Sequence, residues 1–195
     1  LASTWKLLES GHDRILDFDI ETRAAGYADP AWVPDDVTCY AWSWIGDDHV
    51  ECSVSGPDAC FGPYRKQQRW LKPLRDKLCE ADVLTGHNII RFDLRVLNAN
   101  FMRFGLDPLP PRRVIDTIRL PKTKGLKKGQ DNLGVMFGTD LHKLPLNHQE
   151  WDQAYREPGW PIVKERCASD VAQHKLILEE MQARGWTASP VLWRP

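Results

Sequence analysis

Carboxylates stand at positions in this chain where folding ordinarily excludes them. Asp19 and Glu21 share one face of a period-two segment, Asp93 lies on the inward stripe of a helical segment, and Asp170 sits on an apolar helical stripe between Cys167 and His174. Asp and Glu are almost never fully buried unless they are paired or bound to a metal. Taken singly, each of these acids reads as a helix cap or a salt-bridge partner. Four of them, offered inward by three separate segments, do not. Brought together without cations, they would be forced toward protonation by like-charge repulsion. Oxygen-only ligands favour hard ions such as Mg²⁺ or Mn²⁺ over zinc. Two such ions about 3.5–4 Å apart can activate a water and stabilise the attacking and leaving oxygens of an in-line displacement at phosphorus. The matching chemistry is phosphodiester hydrolysis.

The elements that must hold these acids are readable from periodicity. Residues 14–22 alternate as a strand, with Leu16, Phe18 and Ile20 on one face and Ile15, Asp17, Asp19 and Glu21 on the other. A turn-rich connection leads to strand candidates Val37 to Ile45 and His49 to Val54, completing an antiparallel meander. Trp70, Leu71, Leu74 and Leu78 recur at helical spacing from Gln68 to Ala81, with Pro73 either opening or kinking that helix. A short strand over 83–87 precedes a helix from Ile89 to Phe104, and Val114 to Thr117 reads as another short strand. Asn132 to Phe137 forms a short helix and Ile162 to Arg184 the last one, while Thr187 to Pro195 reads as a loosely held end. Strands first, then alternating helices and strands, predict an α/β domain whose mixed sheet is flanked by helices.

Length and composition agree. The chain has 195 residues, the size of one domain, expected to span 1–195 with its core over about 12–184. Hydrophobic residues at 42% and charged residues at 27% are the balance of a globular protein and exclude a disordered tail. No apolar run approaches the roughly 20 residues of a membrane span. The opening residues lack an initiator Met and the apolar core of a signal peptide, so a cytoplasmic location is expected. With 26 basic and 27 acidic residues the net charge is −1, which excludes a globally basic nucleic-acid coat. A polyanion would have to be held by a local basic patch or through metal ions. Cys39, Cys52, Cys60, Cys79 and Cys167 contain no C-x-x-C pair, so free buried thiols are expected rather than a zinc site or a disulfide framework. Most of the nine tryptophans should pack in the core, with some available as stacking platforms for bases.

Three segments, in order, carry a family resemblance: Phe18-Asp19-Ile20-Glu21-Thr22, Gly86-His87-Asn88-Ile89-Ile90-Arg91-Phe92-Asp93, and Cys167-Ala168-Ser169-Asp170-Val171. They resemble the three motifs of the DEDD superfamily of 3′-to-5′ exonucleases, the proofreading type with a ribonuclease H-like fold. The resemblance runs from Asp19 to about Leu178. It implies that Asp19, Glu21, Asp93 and Asp170 are the catalytic carboxylates and hold two divalent cations, Mg²⁺ or Mn²⁺. It also implies that Thr22, His87 and Asn88 lie beside the 3′-terminal nucleotide. Asn88 suits a bond to a sugar or phosphate oxygen, whereas Phe92 is expected to pack its helix into the core. The implied substrate is a single-stranded DNA 3′ end, with RNA as the alternative. No polymerase domain accompanies the motifs, so proofreading would need a polymerase or replication partner.

The pattern breaks at one place. Family members usually carry a Tyr four residues before the last motif Asp, or a His five before it, to orient and deprotonate water. Arg166 and Glu165 stand there. Arginine stays protonated and offers only donors, so Arg166 is no general base, although it could grip the scissile phosphate. Glu165 and His174 are the other candidates for proton acceptance. A silent nucleic-acid-binding module of the same fold is the alternative that this break raises. Finally, Arg112, Arg113, Arg119, Lys122, Lys124, Lys127 and Lys128 face the single acid Asp116, and with Gly125 and Gly129 read as a flexible basic loop. Lys124, Lys127 and Lys128 are its expected phosphate contacts.

Overall fold

The computed structural model describes residues 13–23, 36–55, 64–119, 125–142, 144, 160–186 and 189–195. Strands β1 (Ile15–Arg23), β2 (Asp36–Trp44) and β3 (Glu51–Val54) form the expected meander. Helix α1 (Tyr64–Glu80) leads into β4 (Val83–Gly86), α2 (Asp93–Arg103) into β5 (Arg112–Asp116), and α3 (Gln130–Phe137) and α4 (Trp160–Ala183) precede β6 (Val191–Trp193). The sheet order is β3-β2-β1-β4-β5-β6. β1 pairs antiparallel with β2 and parallel with β4; β5 runs parallel to β4, and β6 antiparallel to β5. This is an α/β fold with a mixed six-stranded sheet, consistent with a ribonuclease H-like fold.

The alternation of β1 decides what each face becomes. Leu16, Phe18 and Ile20 join Leu71, Leu74, Leu78, Leu94, Leu97 and Phe101 in the main core beneath α1 and α2. The other face meets α4, where Ile15 packs with Val83, Ile115 and Leu178, and Cys39 and Ala41 pack with Val163, Cys167 and Val171. Asp17, Asp19 and Glu21 therefore face α4, and that helix brings Asp170 to them.

Four expectations are corrected. The tail is not loose: Val191 to Trp193 adds a strand on β5, and Trp193 is 8% exposed in the main core. α1 starts at Tyr64 and contains Pro73 instead of opening at it. α2 starts at Asp93 and not at Ile89, for a reason given below. Arg112 and Arg113 belong to β5 rather than to a flexible loop, and Arg113 pairs with Asp13 at 2.8 Å. Trp42, Trp44, Trp70 and Trp193 pack in or against the main core on the α1 side of the sheet, and Trp186 packs against the Leu133, Phe137, Ile177 and Met181 cluster.

Candidate active site

A cleft of about 450 Å³ opens where β1, the start of α2, the start of α3 and the middle of α4 meet. Asp19, Glu21, Asp93 and Asp170 all line it. Carboxylate oxygens of Asp19, Glu21 and Asp170 lie within 4.8 Å of one another. Strand alternation and one helical stripe thus bring together residues from opposite ends of the chain. Asp93 shares the cleft but stands slightly apart, its Oδ1 accepting the Ile20 N–H at 3.2 Å. Burial pushes the Asp93 carboxyl up to about 7, and the nearby charges of Asp116 and Glu21 add to this, against hydrogen bonds from backbone amides. An all-oxygen donor set of clustered acids fits a hard divalent cation, whose charge would relieve that repulsion.

The connection from β4 to α2 shapes one wall. The helical periodicity of Ile89 and Ile90 predicts an earlier helix start, but Asp116 at the end of β5 captures the amides first. Its carboxylate accepts from Asn88 N–H at 2.8 Å and from Ile90 N–H at 3.0 Å. Asn88 turns with φ 68°, a left-handed conformation that Asn tolerates better than most residues. Gly86 is required there, since a Cβ would lie 2.8 Å from the Phe18 carbonyl oxygen. Because the helix begins only at Asp93, Phe92 is its N-cap residue, 37% exposed and lining the cleft. The expectation that Phe92 packs in the core is therefore wrong. His87 and Asn88 line the same wall.

The residues around the last motif behave differently from expectation. Arg166 Nε donates to Glu21 Oε1 at 3.1 Å, and its Nη1 donates to the Leu144 carbonyl. Its side chain and that of Glu21 are each 14% exposed. The guanidinium thus holds a carboxylate of the site instead of standing open toward a phosphate. Glu165 is exposed and does not line the cleft. His174, a candidate for proton acceptance, is buried behind the site: Nδ1 meets Asp17 Oδ2 at 2.7 Å and Nε2 meets Thr117 Oγ1 at 2.8 Å. It does not reach the cleft directly. Burial pushes the Asp17 carboxyl up, while His174 and then Lys175 hold it down.

Thr22 follows a register shift between Glu21 and Thr22 and is not among the cleft-lining residues. Lys127 and Lys128 are exposed and also lie outside the cleft lining; Lys124 is outside the described residues. Sequence reasoning overlooked Asp116 as an organiser and Asp131 as a further cleft carboxylate at the start of α3. It also overlooked Gln130, whose Nε2 donates to the Asp170 carbonyl at 2.8 Å. Asp116 was the findable one, as an acid ending a short apolar strand. Behind Asp19, the thiols of Cys39, Cys52 and Cys167 come within 4.8 Å of one another among Val163, Val171 and Ala41. The four described cysteines are free.

Comparison with protein-family signatures and with curated proteins gives no match. The structure is similar to that of the family B DNA polymerase of the hyperthermophilic archaeon Pyrobaculum calidifontis, with a TM-score of 0.61 and 18% sequence identity. The similarity covers 88% of this chain and 25% of the polymerase, so the chain spans about a quarter of that protein's length. What is shared is the fold. Among the described residues, no helix is long and apolar enough to cross a membrane.

Proposed function

We propose that this chain is a metal-dependent 3′-to-5′ exonuclease acting on single-stranded DNA ends. One observation carries the reading: carboxylate oxygens of Asp19, Glu21 and Asp170 gather within 4.8 Å in a cleft that Asp93 also lines. A binding module has no physical need to bury clustered acids. Asp19, Glu21, Asp93 and Asp170 would hold two divalent cations, Mg²⁺ or Mn²⁺. When bound, such cations supply positive charge to activate a water and to stabilise the leaving oxygen. Arg166 keeps Glu21 oriented, and His87, Asn88 and Phe92 form the wall against which a terminal nucleotide rests. Phe92 offers a ring for base stacking. A frayed or single-stranded end is needed to enter a cleft of this size. The polymerase neighbour supports DNA over RNA, and a polymerase as the partner class.

The ion pair between Arg166 and Glu21 is the observation that favours the other reading, a silent nucleic-acid-binding domain, because a guanidinium already neutralises one ligand. An end-labelled oligonucleotide assay separates the readings, run on DNA and RNA with Mg²⁺, Mn²⁺ or chelator. Stepwise shortening of DNA from the 3′ end, dependent on the cation and abolished in Asp19→Asn, is expected. Intact oligonucleotide with either cation would overturn the exonuclease reading, and faster shortening of RNA would reassign the substrate.

A further inference from the structure

Three thiols converge on one point on the α4 side of the sheet. Cys39 on β2, Cys52 on β3 and Cys167 on α4 bring their Sγ atoms within 4.8 Å of one another, and the Cys39 and Cys52 sulfurs are 3.6 Å apart. Strand register accounts for the first two: Cys39 pairs with Val54 and Ala41 with Cys52, so both thiols lie on the face that α4 covers. Val163, Val171 and Ala41 surround the group. Cys39 and Cys167 are fully buried, whereas Cys52, on the edge strand, is half-buried and gives the group a way out to solvent.

Packing among valines needs no sulfur, since a free thiol there acts only as a small apolar group. As thiols the three are weakly bonded: Cys52 donates to the Lys164 carbonyl at 3.4 Å, Cys167 to the Asp19 carbonyl at 3.5 Å and Cys39 to the Tyr40 carbonyl at 3.9 Å. Around one ion they fit closely. A metal–thiolate bond of about 2.3 Å sets three coplanar sulfurs about 4.0 Å apart, and the sulfurs here stand between 3.6 and 4.8 Å. Donor type and number then choose the ion. Sulfur donors are a soft set that selects Cu(I) or zinc, whereas the oxygens of the cleft suit a hard ion. Protein zinc sites close with four ligands. Among the described residues no fourth His, Cys, Asp or Glu joins the three thiols; Asp19 Oδ2, 3.8 Å from Cys167 Sγ, belongs to the carboxylate group of the cleft. Cu(I) accepts three sulfurs and needs no fourth ligand. The charge of Lys164 acts on Cys52 and offsets part of the negative charge of the bound thiolates.

We propose that Cys39, Cys52 and Cys167 form a trigonal binding site for one Cu(I) ion, separate from the carboxylate cleft. The ion enters past Cys52 at the sheet edge, and each thiol gives its proton to solvent as its sulfur binds. No electron is transferred. The site stands whether or not the cleft cleaves DNA, because it uses none of the cleft's carboxylates.

The test is a titration of the full chain with Cu(I), kept reduced by ascorbate under nitrogen and buffered by bicinchoninate as a competing chelator. One equivalent should pass from the chelator to the protein, and X-ray absorption should show three sulfur neighbours at about 2.3 Å from the copper. Cys39→Ser, Cys52→Ser and Cys167→Ser should each lose that equivalent. Cys79→Ser should keep it, because that thiol packs against the main core on the other face of the sheet. Saturating Mg²⁺ should not displace the copper; displacement would put the ion on the cleft carboxylates and overturn the proposal. Should a serine variant not fold, the wild-type spectrum decides, since two sulfur neighbours, or oxygen and nitrogen ones, overturn it. Copper retained by all three variants overturns it as well, as does uptake of Zn²⁺ in place of Cu(I) when both compete in one titration.

Discussion

At Asp93, protonation and folding pull together at low pH and apart at neutral pH. Burial holds its carboxyl up at about 7, above the ordinary 3.8, so between about pH 4 and 7 the fold keeps a proton that the unfolded chain releases. Metal-free stability should therefore fall as pH rises through that window and level off above it. The expected loss is on the order of 1–4 kcal/mol, read by denaturant titration in chelator, and Asp93→Asn should flatten it. Cation binding has to displace the same proton, so Mg²⁺ should bind more weakly below about pH 7. Arg166 carries a second prediction at this scale. Removing its charge from Glu21 in Arg166→Ala should tighten Mg²⁺ binding, measured by calorimetry, while cleavage slows by about tenfold or more as Glu21 loses a charge-assisted hydrogen bond. The inward placement of Asp19, Glu21 and Asp170 was legible because strand and helix periodicities fix which side a residue faces. The partner of Arg166 was not, since no local rule links the middle of a helix to a distant strand.

Among the elements, the passage from β4 to α2 shows where local patterns lose to tertiary contacts. Ile89 and Ile90 continue a helical pattern, yet a carboxylate from β5 takes the amides that would have begun the helix there. Hydrophobic spacing cannot register a competitor that arrives from another strand. The consequence is that Asp93 and Phe92 both reach the cleft. Gly86 holds this passage open. Gly86→Ala would press a methyl against the Phe18 carbonyl and the Ile89 side chain, and should cost about 1–3 kcal/mol in a thermal or denaturant melt. The meander and α4 were readable because their patterns are long. β6 was missed because three residues give no period to recognise.

For the molecule as a whole, a net charge of −1 leaves phosphate binding to local cations. Lys127 and Lys128 are exposed outside the cleft, so replacing both with Gln should weaken single-strand binding and shallow its salt dependence. Mg²⁺ affinity should not change; filter binding across a salt series checks the first and calorimetry the second. The sheet edge offers a further measurement. Trp193→Ala removes a buried ring contributed by the last strand and should lower stability by about 3–5 kcal/mol. The α/β architecture was legible from element order, whereas the closing strand and the thiol cluster depended on contacts between distant segments.

The cleft takes its carboxylates from the first strand and from the last long helix. No fragment lacking either end can then assemble it. If the proposed cleavage is real, it should appear during refolding only after α4 has docked on β1. On the proposed function, a chain still emerging from the ribosome would be harmless to nearby nucleic acid until α4 has docked.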